Sequence, residues 1–396
     1  MTQHTLQQAA DAVLDTTVGR AGGAPGVVAM ATDARGNLYE GAAGSRELGT
    51  DRPMTLDTVM CLFSCTKALT GTVLMQLVEE GRVSLDDAAA RYVPDIAEIQ
   101  VWDGLDADGR PKTRPPRRAI TLNDLMLHTA GFGYEFFSAE DLAYRRAKDI
   151  PTLIANTYDA IQSVLLFDPG ERWNYGCNID WVGKVVEAVR GRRLGEVMDE
   201  HLFAPLGMND TAFVITPSMM ERRASLHMRA SNGKLTPVPD LVLPQPPEMD
   251  MGGHGLYGTV GDYMKFIRML LNDGAVANGR VLRAETVQRM SQNGLGALKS
   301  GGWVTTNPSL SNSGEFFPGL SKSWAYTFMV NDEDTPTGRP AGSLMWAGLG
   351  NLYYWIDRKN GIGGFWGTQI LPFQDVASYP GFVDFESAVY RTLKQR

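Results

Sequence analysis

The chain has 396 residues, of which 43% are hydrophobic and 21% charged, and a net charge of −8. This length allows two lobes or one large domain with an insertion, and the composition is that of a globular protein. The negative balance argues against nucleic acid or an anionic membrane as the main partner, and no apolar run reaches membrane-spanning length.

The three cysteines, Cys61, Cys65 and Cys177, are too few and odd in number for a disulfide framework, and a metal site wants more ligands at tighter spacing. They read as small buried packing residues. None of the five histidines has a partner at a ligand spacing, so neither metal nor cofactor is expected. The start, MTQHTLQQAADAVLDTTV, lacks a charged-then-apolar signal pattern and reads as an amphipathic helix; a cytoplasmic location is the expectation.

Gly26–Asp33 and Asn37–Gly44 flank Ala34-Arg35-Gly36 and predict an antiparallel hairpin. After Ser64, apolar residues at Leu69, Val73, Leu74, Leu77 and Val78, with Gly81 as a stop, predict a helix. Ser84 to Val101 reads as a short helix broken at Pro94, and Trp102 to Pro111 as a solvated turn rather than a calcium loop. The Pro-rich basic stretch Arg110 to Arg118 reads as an exposed loop. Ile120 to Phe132 predicts a helix capped at Thr121 or Asn123 and ended by Gly131. Further helices are expected over Ala139–Gln162, Asn178–Arg190, Leu194–Leu202 and Thr259–Asn272.

A Pro-rich segment from Thr236 to Pro247 marks a boundary or an ordered loop, and Gly294 to Gly319 reads as irregular. The last third is aromatic and β-branched. It predicts strands at Trp324–Val330, Ser343–Trp346, Asn351–Asp357 and Gly361–Gln369, and a closing helix over Phe382–Lys394. Strands at both ends with helices between them imply an α+β protein: one sheet built from both termini, with a helical lobe inserted in it.

Ser64 and Lys67 lie three apart, which on a helix places them on one face. A hydroxyl at a helix N-terminus meets unpaired N–H groups and the positive end of the dipole, conditions that suit a serine attacking a carbonyl. The spacing alone is weak, since such a pair arises about once by chance in a chain of this size. A second pair, Ser231 and Lys234, straddles an Asn-Gly turn. Tyr175, in the polar turn WNYGCNIDW before a helix, supplies a phenol. Two bases fit this set: a phenolate held beside an ammonium, or a lysine neutralised by desolvation. Ordinary packing of Tyr175 is the alternative. SLMWAGLGN, from Ser343 to Asn351, places small residues at a strand end, where a backbone N–H can approach a ligand closely.

Taken in order, SCTK (Ser64–Lys67), YGCN (Tyr175–Asn178) and WAG (Trp346–Gly348) resemble the three motifs of the serine β-lactamase and penicillin-binding-protein superfamily. The nearer likeness is to family VIII carboxylesterases and the lovastatin-type acyltransferase. HTAGF, DPGERWNYG, APLGMNDTAF and GGHGLYGTVGDYMKF extend it over nearly the whole chain. The resemblance implies a β-lactamase/transpeptidase-like fold, with a discontinuous sheet domain of residues 1–62 and 255–396, a mainly helical domain of residues 63–254, and the active site between them. It implies Ser64 as acyl-forming nucleophile, Lys67 and Tyr175 as base and proton relay, and the N–H groups of Ser64 and Leu349 as oxyanion hole. Trp346, Gly348, Tyr134, His254 and Tyr257 are the implied substrate-binding residues.

Two departures bear on substrate. Cys177 stands where penicillin-recognising relatives usually carry Asn, and Trp346 where they carry Lys. Loss of that cation favours uncharged esters over penicillins, with weak cephalosporin hydrolysis as a side activity. A short- to medium-chain ester is therefore the expected substrate; an alcohol acceptor in place of water would make the enzyme an acyltransferase. Aromatics at Phe132, Tyr134, Phe136, Phe137, Trp303, Phe316, Phe317 and Tyr326 are candidates to line an acyl pocket. A non-catalytic binding protein on the same scaffold would be expected to lose Lys67 or Tyr175. A cysteine hydrolase using Cys65 lacks a placed His–Asn pair, and no Gly-x-Ser-x-Gly elbow points to an α/β-hydrolase. Oligomeric state is not legible.

Overall fold

The computed structural model describes residues 3–393, so Met1 and Thr2 of the expected first helix and Lys394 of the last lie outside the described residues. Leu6, Ala10 and Leu14 recur every four residues along α1 (Gln3–Gly19) and are buried, as one face of an amphipathic helix requires. The Tyr39 hydroxyl donates to Asp11 Oδ1 at 2.8 Å and ties α1 to the sheet edge. β1 (Gly26–Asp33) and β2 (Asn37–Gly44) form the hairpin at the bounds read from the sequence.

The chain leaves the hairpin through β3 (Val59–Cys61), then α2 (Thr66–Glu79), and enters a mainly helical region holding α3 (Leu122–Met126), α4 (Ala139–Lys148) and α5 (Asn178–Arg190). Several expected elements come out shorter. No α-helix forms over Ser84–Val101; Ala89–Arg91 and Pro94–Glu98 make single 3₁₀ turns. α3 is capped by Thr121 in a reciprocal bond with Asp124 and ends before Gly131, because His128 turns left-handed at φ 56°. α4 stops at Lys148 instead of running to Gln162. Asp149 turns left-handed at φ 53°, and Pro151 biases the residue before it away from helical backbone.

The Trp102–Pro111 segment joins β4 (Val101–Leu105) to β5 (Pro111–Arg114), so part of the expected loop is a hairpin. The basic stretch beyond is anchored: Arg114 forks onto Asp168 at 3.0 and 2.6 Å, and Arg118 onto Asp124 at 2.6 and 2.8 Å. β6 (Leu226–Arg229) and β7 (Leu235–Val238) flank the Asn232-Gly233 turn, which leaves the second Ser-x-x-Lys pair in a hairpin tip and not on a helix. β8 (Tyr257–Thr259) pairs antiparallel with β3, so the chain re-enters beside its point of departure. The Val260–Leu271 helix follows, capped by Thr259, then a short ladder of β9 (Ala275–Val276) and β10 (Gly279–Arg280).

The last third supplies β11 (Lys322–Trp324), β12 (Met329–Asn331), β13 (Leu344–Gly348), β14 (Leu352–Asp357) and β15 (Ile362–Gly367). The expected single strand Trp324–Val330 is instead two strands, since Trp324 pairs with Met329 and the chain must reverse between them; Thr327 at φ 71° makes the turn. All join one antiparallel seven-stranded sheet in the order β11-β12-β13-β14-β15-β1-β2. β16 (Ile370–Leu371) joins β6 in parallel.

Neighbouring residues on β14 and β15 face opposite layers. Tyr354 and Phe365 meet Tyr263 of the Val260–Leu271 helix at ring separations of 5.0 and 4.9 Å. Trp355 and Trp366 meet Phe385 of the closing helix, Ser378–Leu393, at 5.9 Å each. Both faces of the sheet centre are therefore covered, which is why β1, β14 and β15 read as nearly unbroken apolar runs. Among the described residues no helix is long and apolar enough to cross a membrane.

Candidate active site

Ser64 lies in a 3₁₀ turn, Phe63–Cys65, that feeds directly into α2. Phe63 holds a left-handed φ of 45°, a strained conformation for an aromatic residue that costs about 1–3 kcal/mol. The strain sits at the residue that turns Ser64 out of the strand–helix junction.

One helical turn on, Lys67 is completely buried. Its Nζ lies 3.2 Å from Ser64 Oγ and donates to Tyr134 Oη at 2.8 Å and to the Gly253 carbonyl at 2.7 Å. No carboxylate is in ionic contact with it among the described residues. Burial pulls Lys67 below the usual lysine range, with the charge of Asp180 opposing more weakly.

Tyr175 comes from the turn before α5. Its ring, rather than its hydroxyl, faces the lysine, with Nζ 4.7 Å from the ring centroid. The hydroxyl accepts from Trp346 Nε1 at 3.0 Å. Burial raises the Tyr175 phenol well above its ordinary value, while Ser64 and Trp346 beside its oxygen pull the other way. Of the two bases that fit the sequence, the resting phenolate is thus disfavoured and the neutralised lysine favoured. Tyr134, expected to bind substrate, is also the hydroxyl bonded to Lys67, and burial raises its phenol too.

His128 packs behind Tyr175 with ring centroids 5.1 Å apart, and its Nδ1 lies 2.9 Å from Asn178 Nδ2. Burial and Lys67 keep that ring neutral.

The glycines of the motifs are close-approach positions. A Cβ on Gly176 would fall 2.3 Å from the Phe132 carbonyl oxygen, and one on Gly348 2.4 Å from that of Leu62. Backbone cannot yield as a side-chain tip can. Gly176→Ala is expected to lower stability by about 1–3 kcal/mol, the usual cost of overpacking, seen as a fall of several degrees in Tm. An unchanged melting curve would contradict the packing described.

Ser64, Tyr134, Tyr175, Trp346, Gly348, Leu349 and His254 all line one cavity. Phe136, Phe137, Trp303 and Phe316 from the expected loops join them, as do Phe373, Leu153 and Ile154, for which the sequence carried no signal. Among the described residues no Asp, Glu, Lys or Arg lines it.

Tyr257 does not join the cavity. It sits in β8 opposite Cys61, and its hydroxyl accepts the Leu243 N–H at 3.0 Å, because strand pairing turns it into the core. Phe132, Phe317 and Tyr326 are likewise elsewhere: Phe132 stacks on Trp181, Phe317 lies by Arg339, and the Tyr326 hydroxyl donates to Asn123 at 2.8 Å. Cys61, Cys65 and Cys177 are buried and unpaired. The sequence reading missed Asp180 and Gly253; an Asp in the first turn of a helix looks like ordinary dipole compensation.

The profile of the family described as Beta-lactamase matches residues 6–381. Monacolin J acid methylbutanoyltransferase of Aspergillus terreus is 32% identical over 389 residues, covering 94% of this chain and 92% of that protein. Lovastatin esterase of Penicillium rubens is 32% identical over 370 residues, covering 88% and 89%. The solved structure of simvastatin synthase (LovD) from Aspergillus terreus superposes with a TM-score of 0.85 at 29% identity, covering 100% of both chains. With a profile running almost end to end, and Ser64, Tyr175 and Trp346 of the three motifs meeting at one cavity, this chain belongs to the Beta-lactamase family, related within it to lovastatin-type acyltransferases and an esterase.

Proposed function

We propose that the chain is a serine carboxylesterase that cleaves uncharged short- to medium-chain esters through an acyl-enzyme on Ser64. The observation that carries this reading is the buried Lys67 amine, pulled toward its neutral form by burial and 3.2 Å from the Oγ of Ser64, which itself lines an apolar cavity.

Neutral Lys67 takes the Ser64 proton as Oγ attacks the ester carbonyl. The N–H groups of Ser64 and Leu349 receive the oxyanion, each such donor being worth about 3 kcal/mol of barrier. Tyr175 gives its proton to the departing alkoxide. The resulting phenolate is held by Trp346 Nε1 and by the new ammonium over its ring. In the second half, the phenolate takes a proton from incoming water, the hydroxide attacks the acyl carbon, and Lys67 returns its proton to the Ser64 oxygen. Every group ends as it began.

The apolar lining of the cavity suits an uncharged acyl group, and with no basic side chain there a β-lactam carboxylate lacks a counter-ion. The same lining suits an apolar alcohol in place of water, and the relatives named a methylbutanoyltransferase and an esterase support keeping acyl transfer as the second reading.

The test is mass spectrometry of protein mixed with a fluorophosphonate and, separately, with a p-nitrophenyl ester. A single adduct on the peptide holding Ser64 is expected with both. An unmodified Ser64 in active protein would end the proposal. Added alcohols separate the two readings: a new ester among the products marks transfer, and the free acid alone marks hydrolysis.

A further inference from the structure

Asp180 plays no part in the chemistry above, yet its position is unusual. It lies fully buried in the first turn of α5, where Oδ1 accepts the Gly253 N–H at 2.8 Å and Oδ2 has no hydrogen-bond partner among the described residues. A Cβ on Gly253 would come within 2.4 Å of Oδ2, so the carboxylate rests against a bare Cα. The carbonyl of the same glycine accepts from Lys67 at 2.7 Å. Lys67 on α2 and Asp180 on α5 therefore grip one residue from two sides. An orphaned carboxylate oxygen in the core is costly, and helix-dipole compensation alone does not require it to be buried.

Resting on the reading of Lys67 as base, we propose that Asp180 is a positioning residue of this site: it holds Gly253 against Lys67, and its negative charge sets how far the lysine is protonated when Ser64 must lose its proton.

The other groups facing the pair are Cys65 before α2, His128 and Tyr134 after α3, Tyr175 and Cys177 before α5, and His254 beside Gly253, with Glu135 and Arg145 behind. Burial raises the two thiols and two phenols and lowers the two imidazoles, so all six are neutral near pH 7. Arg145 is matched by Asp141 at 3.0 Å, with Glu135 at 3.7 Å. Asp180 is left as the carboxylate acting on Lys67, favouring the ammonium against a larger opposing effect of burial.

Asp180→Asn keeps the volume and an acceptor for the Gly253 N–H while removing the charge. For the full chain hydrolysing a p-nitrophenyl ester, kcat/KM rises with pH as Lys67 loses its proton. In Asp180→Asn that limb is expected to move to lower pH by about one unit or more. A purely structural role would scale the profile and leave its midpoint unmoved; that outcome in a folded variant overturns the proposal.

A second readout uses no activity. In Lys67→Met the buried carboxylate loses its counter-charge, and its folded-state pKa, already raised by burial to about 6 against the pull of Lys67, climbs further above the unfolded value. Stability is then greatest in acid and is lost as pH climbs through that raised value. Tm of Lys67→Met is expected to fall relative to that of Lys67→Met/Asp180→Asn as pH climbs between about 5 and 8, because the two variants differ only in the Asp180 carboxylate. Parallel curves for the two overturn the proposal, even where Asp180→Asn by itself fails to fold. A parent without esterase or transferase activity would remove Lys67 as base while leaving this thermal comparison to be read.

Discussion

Ser64→Ala is expected to reduce ester turnover by about 10⁴-fold or more while leaving the protein folded. The size follows from the chemistry: without Oγ no acyl-enzyme forms, and an oxyanion hole with positioned substrate retains only residual rate. Survival of the fold follows from the structure. The Ser64 side chain is only half-buried, and its hydrogen bond is to Lys67, which keeps its bonds to Tyr134 and Gly253. Steady-state hydrolysis of a short p-nitrophenyl ester, with circular dichroism melts of both proteins, decides the matter. A folded variant within tenfold of the parent rate would remove Ser64 from the mechanism.

The two phenols are expected to part company. Tyr175→Phe should lower kcat by about 10²–10⁴-fold with little change in KM, the range for loss of a group that transfers a proton in the transition state. Its ring would still stand 4.7 Å under Lys67 and against His128, so packing is retained and only the hydroxyl held by Trp346 is lost. Tyr134→Phe removes one of the hydrogen bonds that hold Nζ. The expected loss is smaller, about 10-fold, because Ser64 and Gly253 still hold the amine. Equal losses in the two variants would show that the phenols share one task and that the division of labour between them is wrong.

Much of this was legible in the residue string because the relevant signals are local. The β1–β2 hairpin and α5 have the bounds expected from their flanking turns and apolar spacing. Ser64 and Lys67 are brought together by a single helical turn, and any chain that makes that helix makes the pair. Where expectation failed, a non-local partner overrode a local pattern. Trp324–Val330 has strand composition throughout, yet pairing of Trp324 with Met329 forces a reversal inside it. Tyr257 sits in a glycine-rich motif that looks like a ligand site, and its pairing with Cys61 turns it into the core.

Composition and helical spacing were enough to yield an α+β chain and the Ser64–Lys67 pair, while the part expected of Tyr175 and the Trp346 in place of the cation of penicillin-binding relatives came from the resemblance carried by motif order. What the amine touches was settled by packing. Lys67 reaches Tyr134 across 67 positions and Gly253 across 186, and neither separation leaves a mark in any local window. The state of that amine is likewise a tertiary matter: desolvation depends on how much protein surrounds a charge, and a distant carboxylate acts through space, so proton affinity belongs to the folded molecule and not to the string.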